Sequence, residues 1–230
     1  MCGRYALNMA PKSLAEMYEA DWEDWKAAPD PPPRYNIAPT QPVMIVRNAD
    51  DARRRIATVL WGLVPSWSKD PSMAARMINA RAETAAEKPS FRAAMKYRRC
   101  LVPATHFYEW QKRGAAKQPW CIRLRDGSPM AFAGLWERWS SPDGAELESC
   151  AILTTSANAL MAPLHERMPV ILRREDVARW LDPASQKAGD VADLLAPYDA
   201  EAMEAFEVST YVNNARNEGE RCVERPTSLV

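Results

Sequence analysis

Cysteine stands at position 2 of this 230-residue chain, directly after Met1. Aminopeptidases remove a leading methionine when the next side chain is small. Cys2 meets that condition, so the mature chain is expected to begin there. Such a residue carries two nucleophiles on adjacent carbons. Its α-amine has a reference pKa of about 7.7–8.0 and its thiol one of about 8.5, so both supply reactive forms near neutral pH. An amine condenses with an aldehyde to give an imine. The thiol can then add to the imine carbon and close a five-membered thiazolidine. An internal cysteine cannot follow this route, because its nitrogen is an amide.

Two further side chains could move the protons such a reaction needs. Glu109 lies between Tyr108 and Trp110. A carboxyl flanked by aromatic rings and partly desolvated has a raised pKa, which suits an acid/base. Only two histidines occur, His106 and His165. His106 precedes an apolar strand residue and reads as packing. His165 could protonate the ring oxygen of a closed hemiacetal, the step that exposes its aldehyde. Each of the three also has an ordinary reading: Cys2 as an incidental second residue, Glu109 as a surface carboxylate on a strand, His165 as a structural histidine.

Composition bounds the surroundings of this chemistry. Lysine plus arginine number 30 and so do the acids, giving a formal net charge of zero. The distribution is uneven. Residues 81–138 hold twelve basic side chains against five acids, whereas residues 182–207 hold seven acids and only Lys187. A basic middle in a neutral chain fits a local phosphate-binding face, and equally an ordinary solvated surface. Nine tryptophans are many for this length; six are expected in the core and the rest are candidates for stacking on bases. The five cysteines are odd in number and form no CxxC. That argues against a disulfide framework and a zinc site, so no metal or cofactor is expected. No apolar leader or membrane-length run is present, so the expected place is the reducing cytoplasm.

The elements that must hold these residues are mostly short strands. A helix is predicted from Pro11, with Leu14, Met17 and Tyr18 at helical spacing. Residues 27–42 are rich in proline and read as an extended loop. Strands are predicted over 43–46 and 56–61, then over 101–102, 106–110, 120–124, 130–135, 150–155 and 168–172. Helices are predicted within 74–88, from Ser90 to Tyr97, from Ser156 to before Pro163, and over 175–181 and 185–195. The tail after Glu218 is polar and reads as exposed. Nothing divides the chain, so residues 1–230 read as one domain. The pattern lacks βαβ alternation and gives an α+β class: a curved, mostly antiparallel sheet or barrel with peripheral helices.

Six segments in register carry a resemblance. They are MCGRY at the start, RYNIAPTQ (34–41), WGLVPSW (61–67), INARAET (78–84), FYEW (107–110) and HERMPVIL (165–172), with a late VNNARNEG (212–219). Together they closely resemble the SRAP family, named as SOS-response-associated peptidases and also known as abasic-site shield proteins. The resemblance implies a DNA-damage role: covalent capture of abasic sites in single-stranded DNA by a monomer, nucleoid-associated when bound, with AP lyase chemistry in addition. It implies catalytic roles for Cys2 as the crosslinking residue, Asn79 against the trapped sugar, Glu109 as acid/base and His165 beside the opened deoxyribose. It implies phosphate contacts for Arg4, Arg81 and Arg167 and an aromatic at the DNA bend in Trp67, and Asn36 of RYNI is placed with them on the DNA. Two positions depart from many relatives: Glu166 where they have Asp, and Ser68 where some have a second aromatic beside Trp67.

Two rivals use the same residues. In a cysteine peptidase, Cys2 would attack a peptide carbonyl, with Asn79 as oxyanion donor. In a non-catalytic single-strand-binding module, the arginines and tryptophans would bind and Cys2 would be a bystander.

Overall fold

The structure is a computed structural model in which residues 2–22, 31–49, 51 and 53–226 are described. Met1, the 27–30 part of the proline-rich segment and the last four residues lie outside them. In chain order the strands are β1 (Tyr5–Leu7), β2 (Ala20–Asp21), β3 (Arg34–Ile37), β4 (Pro42–Asn48), β5 (Arg54–Trp61), β6 (Asn79–Arg81), β7 (Arg99–Ala104), β8 (His106–Arg113), β9 (Ala116–Leu124), β10 (Met130–Ser140), β11 (Glu146–Ser156), β12 (Arg167–Pro169), β13 (Ile171–Leu172) and β14 (Met203–Glu207). The helices are short: α1 (Pro11–Tyr18), α2 (Ala82–Ala85), α3 (Arg92–Tyr97) and α4 (Val177–Leu181).

Five strands close into a barrel. The order β11-β10-β7-β4-β5 is antiparallel throughout. β5 then returns to β11 in parallel, Leu60 opposite Ser149 and Trp61 opposite Cys150. An odd number of strands cannot alternate direction all the way round, so one seam must be parallel. Closure removes the exposed edges that an open sheet would have to protect.

A second sheet, ordered β14-β9-β8-β1-β3, is wholly antiparallel. It covers the barrel through aromatic side chains. Tyr5 of β1 meets Trp61 at 5.1 Å and Phe132 at 6.1 Å between ring centroids, and Phe107 of β8 meets Phe132 at 5.9 Å, all edge-to-face. Such pairs are the favoured geometry for ring quadrupoles and add to the gain from burial alone. The expected α+β class, with a mostly antiparallel barrel and peripheral helices, is what forms.

The differences from expectation have local causes. Residues 157–163 are not helical. Ser156 ends β11, Asn158 caps a turn by accepting from Met161 N at 3.0 Å, and Ala157 N donates to Glu166 O, so the chain continues as a hairpin towards β12. Pro163 arrives too soon for a helix to form before it. The helix predicted over 185–195 is a 3₁₀ segment, Ala188–Leu195. Ser90 does not cap α3. Arg34–Ile37, read as loop, is strand β3 beside β1. Only Trp61, Trp139 and Trp180 are fully or nearly buried among the described tryptophans. The tail is not loose either. Cys222 is buried with Tyr108, Cys121, Val208 and Val212, and Ser209 N donates to Glu224 O at 2.8 Å.

Candidate active site at the junction of the two sheets

Strand register brings residue 2 to Glu109. β1 pairs with β8, Tyr5 opposite Phe107 and Ala6 opposite His106, and Tyr108 N donates to Arg4 O at 2.9 Å. Residues 2–4 therefore run alongside the next part of β8. Side chains alternate along β8. Phe107 and Glu109 face the barrel, while His106, Tyr108 and Trp110 face outward. The outer row is held by hydrogen bonds: His106 Nε2 lies 2.8 Å from Tyr108 Oη, which donates to Tyr35 O. With the tyrosine proton committed, His106 supplies the Nε2–H. Burial holds its pKa down at about 4, so it is neutral and structural.

Cys2 is 0 % exposed and Glu109 4 % exposed. Burial pushes the Glu109 carboxyl up to about 7, with the Trp110 N–H opposing that rise. Burial also raises the Cys2 thiol far above its usual range. The Glu109 charge adds to that rise, and the Arg4 N–H lowers it in part. The thiol and the carboxyl therefore share one poorly solvated space. Glu109 is poised to exchange a proton near neutral pH while the thiol stays protonated.

The barrel supplies the other side. β6 pairs in parallel with β11, Asn79 opposite Ile152 and Arg81 opposite Thr154. Asn79 Nδ2 donates to Cys2 O at 2.8 Å, and among the described residues its buried Oδ1 has no hydrogen-bond partner. β12 lies on the other edge of β11, Pro169 opposite Thr154 and Arg167 opposite Ser156. His165 precedes it in the turn. Its Nδ1 accepts the Arg167 N–H at 2.9 Å, so the neutral ring carries its proton on Nε2. Partial burial lowers its pKa. Asn79 thus meets Cys2 by a hydrogen bond, Glu109 meets it through shared burial and charge, and His165 stands in the turn before β12.

The expected DNA contacts divide. Arg81 is exposed. Trp67 is 58 % exposed, its Nε1 directed to Pro89 O at 3.4 Å. Its loop starts at Gly62, whose φ is +138° and where a Cβ would lie 2.4 Å from Ala74 O, so no other residue fits there. Trp139 Nε1 holds the far end of the loop through Ser68 O at 2.7 Å. Asn36 is a correction: it is 0 % exposed and cannot lie on DNA. Its Nδ2 donates to the carbonyls of Val212, Asn214 and Asn217, and its Oδ1 accepts from Arg4 Nη1 at 2.7 Å. Asn36 thus ties the VNNARNEG segment to Arg4, whose guanidinium lies 5.5 Å from the centre of the Trp110 ring. Arg167 is engaged as well. It grips Glu83 with two hydrogen bonds, 2.7 and 2.8 Å, and also donates to Thr154 O.

Glu83, the partner of Arg167, was missed as a support of the site, while Tyr108 and Trp110, expected to flank the Glu109 carboxyl, lie on the opposite face of β8. The signal was present in the quoted motifs: Glu83 lies within INARAET, and period-two alternation in FYEW sends Tyr108 and Trp110 away from Glu109.

A family-wide sequence profile described as SOS response associated peptidase (SRAP) matches residues 1–215. The abasic site processing protein YoqW of Bacillus subtilis is 41% identical over 225 residues, covering 97% of this chain and 99% of that one. The abasic site processing protein HMCES of Xenopus tropicalis is 32% identical over 262 residues, covering 97% of this chain and 78% of that one. A crystal structure of a protein from Bacteroides thetaiotaomicron superposes with a TM-score of 0.86 at 29% identity, covering 98% of this chain and all of the other. With its motifs spread over both sheets and the match running nearly end to end, this chain belongs to the SRAP family.

Proposed function

We propose that this protein recognises abasic sites in single-stranded DNA and traps the sugar aldehyde on residue 2 as a thiazolidine. The observation that carries the reading is the burial of the Cys2 thiol in one desolvated space with Glu109. Related proteins named for abasic site processing, similar over nearly the whole chain, support the substrate class.

The steps follow from the groups present. The deoxyribose opens with a proton delivered to its ring oxygen, for which His165 Nε2–H is the candidate donor. The freed α-amine of Cys2 adds to the aldehyde carbon. Glu109 as carboxylate takes the ammonium proton and returns it to the departing hydroxyl, so the imine forms with loss of one water. The neutral thiol then adds to the imine carbon, and its proton passes to the nitrogen as the ring closes. Asn79 holds the Cys2 carbonyl, which fixes the direction of the amine and thiol. Without ring closure, the imine can expel the 3′ phosphate by β-elimination, which is the AP lyase reaction. Arg81 and Arg4 are the proposed phosphate contacts and Trp67 the stacking surface, with Arg167 reaching a phosphate only on release from Glu83. The protein is taken to act as a monomer in the cytoplasm, on DNA of the nucleoid.

A peptidase reading would start from a neutral thiol and need a base, such as Glu109, to take its proton during attack. Burial and the Glu109 charge both disfavour a resting thiolate, and the mass-spectrometric test separates the two readings. Intact-protein mass spectrometry after incubation with an abasic single strand tests the proposal. The expected product weighs as much as the Met1-free protein plus the oligonucleotide less one water. Absence of any DNA-sized increment, with Met1 removal confirmed, overturns it.

A further inference from the structure

Beyond the trapping site, the surface around α3 carries an arrangement of cations that the crosslinking chemistry does not use. Lys88, Arg92 and Lys96 are all exposed, at successive intervals of four residues. Phe91 N and Arg92 N both donate to Lys88 O, so the turn before α3 continues its helical course and the three side chains line one face. Among the described residues none of the three makes an ion pair; Lys96 lies 4.7 Å from the ring centre of Tyr97. Glu87 is the acid adjoining the ridge.

The ridge connects two other features. At its start, Pro89 O meets Trp67 Nε1. At its end, Lys96 and Tyr97 line a cavity of about 730 Å³ together with Arg98, Trp136, Glu137 and Arg138, and Ser66 of the Trp67 loop lines the same cavity; Arg98 is paired with Glu137 and Arg138 with Glu148, which leaves Lys96 as its cation without an ion pair among those named. Trp67 and Tyr97, at 58 % and 55 %, are the exposed large apolar side chains of the described residues. Arg47 stacks on Trp136, its guanidinium 3.9 Å from the ring centre. Arg47 Nη2 pairs with Glu148 at 2.8 Å and Arg98 Nη2 with Glu137 at 2.7 Å; among the described residues Arg98 Nε has no hydrogen-bond partner.

We infer that the Lys88–Arg92–Lys96 ridge and the cavity at its end form a second phosphodiester-binding track, which holds the single strand several nucleotides beyond Trp67. This inference rests on the DNA-binding reading and extends it from the lesion to its flank. Cations spaced along a ridge with an exposed aromatic at each end are what a single strand needs: phosphates to neutralise and bases to stack, without reading sequence. A free nucleotide shares the phosphate chemistry, but three cations drawn out in a row exceed what one such ligand can use.

The test uses full-length protein and undamaged single strands of two lengths: one short enough to span only the trapping site, and one longer by roughly the ~4–16 nucleotides typical of a single-strand binding surface. Fluorescence anisotropy is measured across a salt series for the native protein and for Lys88→Gln/Arg92→Gln/Lys96→Gln. All three side chains are exposed, so the fold should survive; the melting temperature checks it. The native protein should bind the long strand more tightly, and the variant should lose that advantage. Its log–log salt slope on the long strand should shrink by about 2, since each single-strand phosphate contact contributes roughly −0.7. Equal losses on short and long strands, or none on either, overturn the inference. So does an affinity gain seen only when the extension is duplex. Deoxynucleotide monophosphate that binds and competes equally at both lengths would mark the cavity as a nucleotide pocket and also overturn it. Crosslinking of a short abasic strand by the variant should be unchanged. Failure of the native protein to crosslink that strand would count against the trapping reading, independently of the length effect.

Discussion

Asn79 Nδ2 donates to the backbone carbonyl of Cys2 at 2.8 Å, across the seam between barrel and second sheet. The asparagine thus fixes residue 2 before any substrate arrives. Asn79→Ala should slow single-turnover crosslinking by about 10–100-fold, the scale on which small misplacements of reacting groups act. Affinity for undamaged strands should be unchanged. Asn79→Asp keeps the shape but cannot donate, so it should be as slow as alanine. A native rate for the aspartate variant would assign Asn79 some other task.

Glu109→Gln should slow crosslinking by about 10²–10⁴-fold, the usual loss of a positioned acid/base. The same change should stabilise the protein at pH 8. Burial raises the folded-state pKa to about 7, above the ordinary carboxylate value of 4.5. Above pH 7 the carboxyl is ionised in both states, and the buried charge weighs fully on the folded one. As pH falls from 7 to 4.5 the folded state takes up the proton first, so this handicap fades. The melting-temperature advantage of glutamine should therefore be largest at pH 8 and gone by about pH 4.5. An advantage that grows on acidification would contradict the assigned shift.

An N-terminal extension that cannot be removed should abolish crosslinking, because the nitrogen of Cys2 stays an amide with its lone pair delocalised. Proteolytic exposure of Cys2 should restore it. Cys2→Ala should keep its affinity for DNA yet give only a labile imine and strand nicking. A heat-stable adduct from Cys2→Ala would remove the thiol from the mechanism, and full activity of the blocked form would remove the amine.

Truncation after Gly219 should destabilise the protein. It deletes Cys222 from the cluster with Tyr108 and Val212, and it removes the Ser209–Glu224 backbone hydrogen bond. The loss should be about 2 kcal/mol or more, the sum of one buried side chain and one hydrogen bond. Chemical denaturation at constant m-value measures it. An unchanged midpoint would mean that the segment merely rests on the surface.

The strands of the barrel were legible because alternation and β-branched content mark them locally, as in β4, β5 and β10. Barrel closure was not, since the β5–β11 pairing joins Leu60 to Ser149 and leaves no local trace. β1 and β14 were missed for a related reason: YAL and MEAFE are too short or too polar to read as strands until their neighbours are known. Cys2, Asn79, Glu109 and His165 could be singled out as candidates in the sequence because they lie in specific motifs; their roles are those of the proposal above. What the sequence left open was which polar residues are spent inside the fold. Asn36 and Arg167 have the composition of a DNA contact, but Asn36 is buried and Arg167 is held by Glu83 in the resting structure.

The junction between the sheets also has a consequence for biosynthesis. Cys2 is the first of the site residues to leave the ribosome. Its surroundings come much later: Asn79, then Glu109, then His165, and finally the 212–217 carbonyls that lock Asn36 and so Arg4. Domains form as units once their distant contacts can close. The nascent chain therefore displays Cys2 before Glu109 can share its buried space and before Asn79 can hold its carbonyl. On the proposed mechanism, the site residue translated first is armed last, and a truncated or misfolded copy lacks the groups that would direct its amino end towards an abasic site.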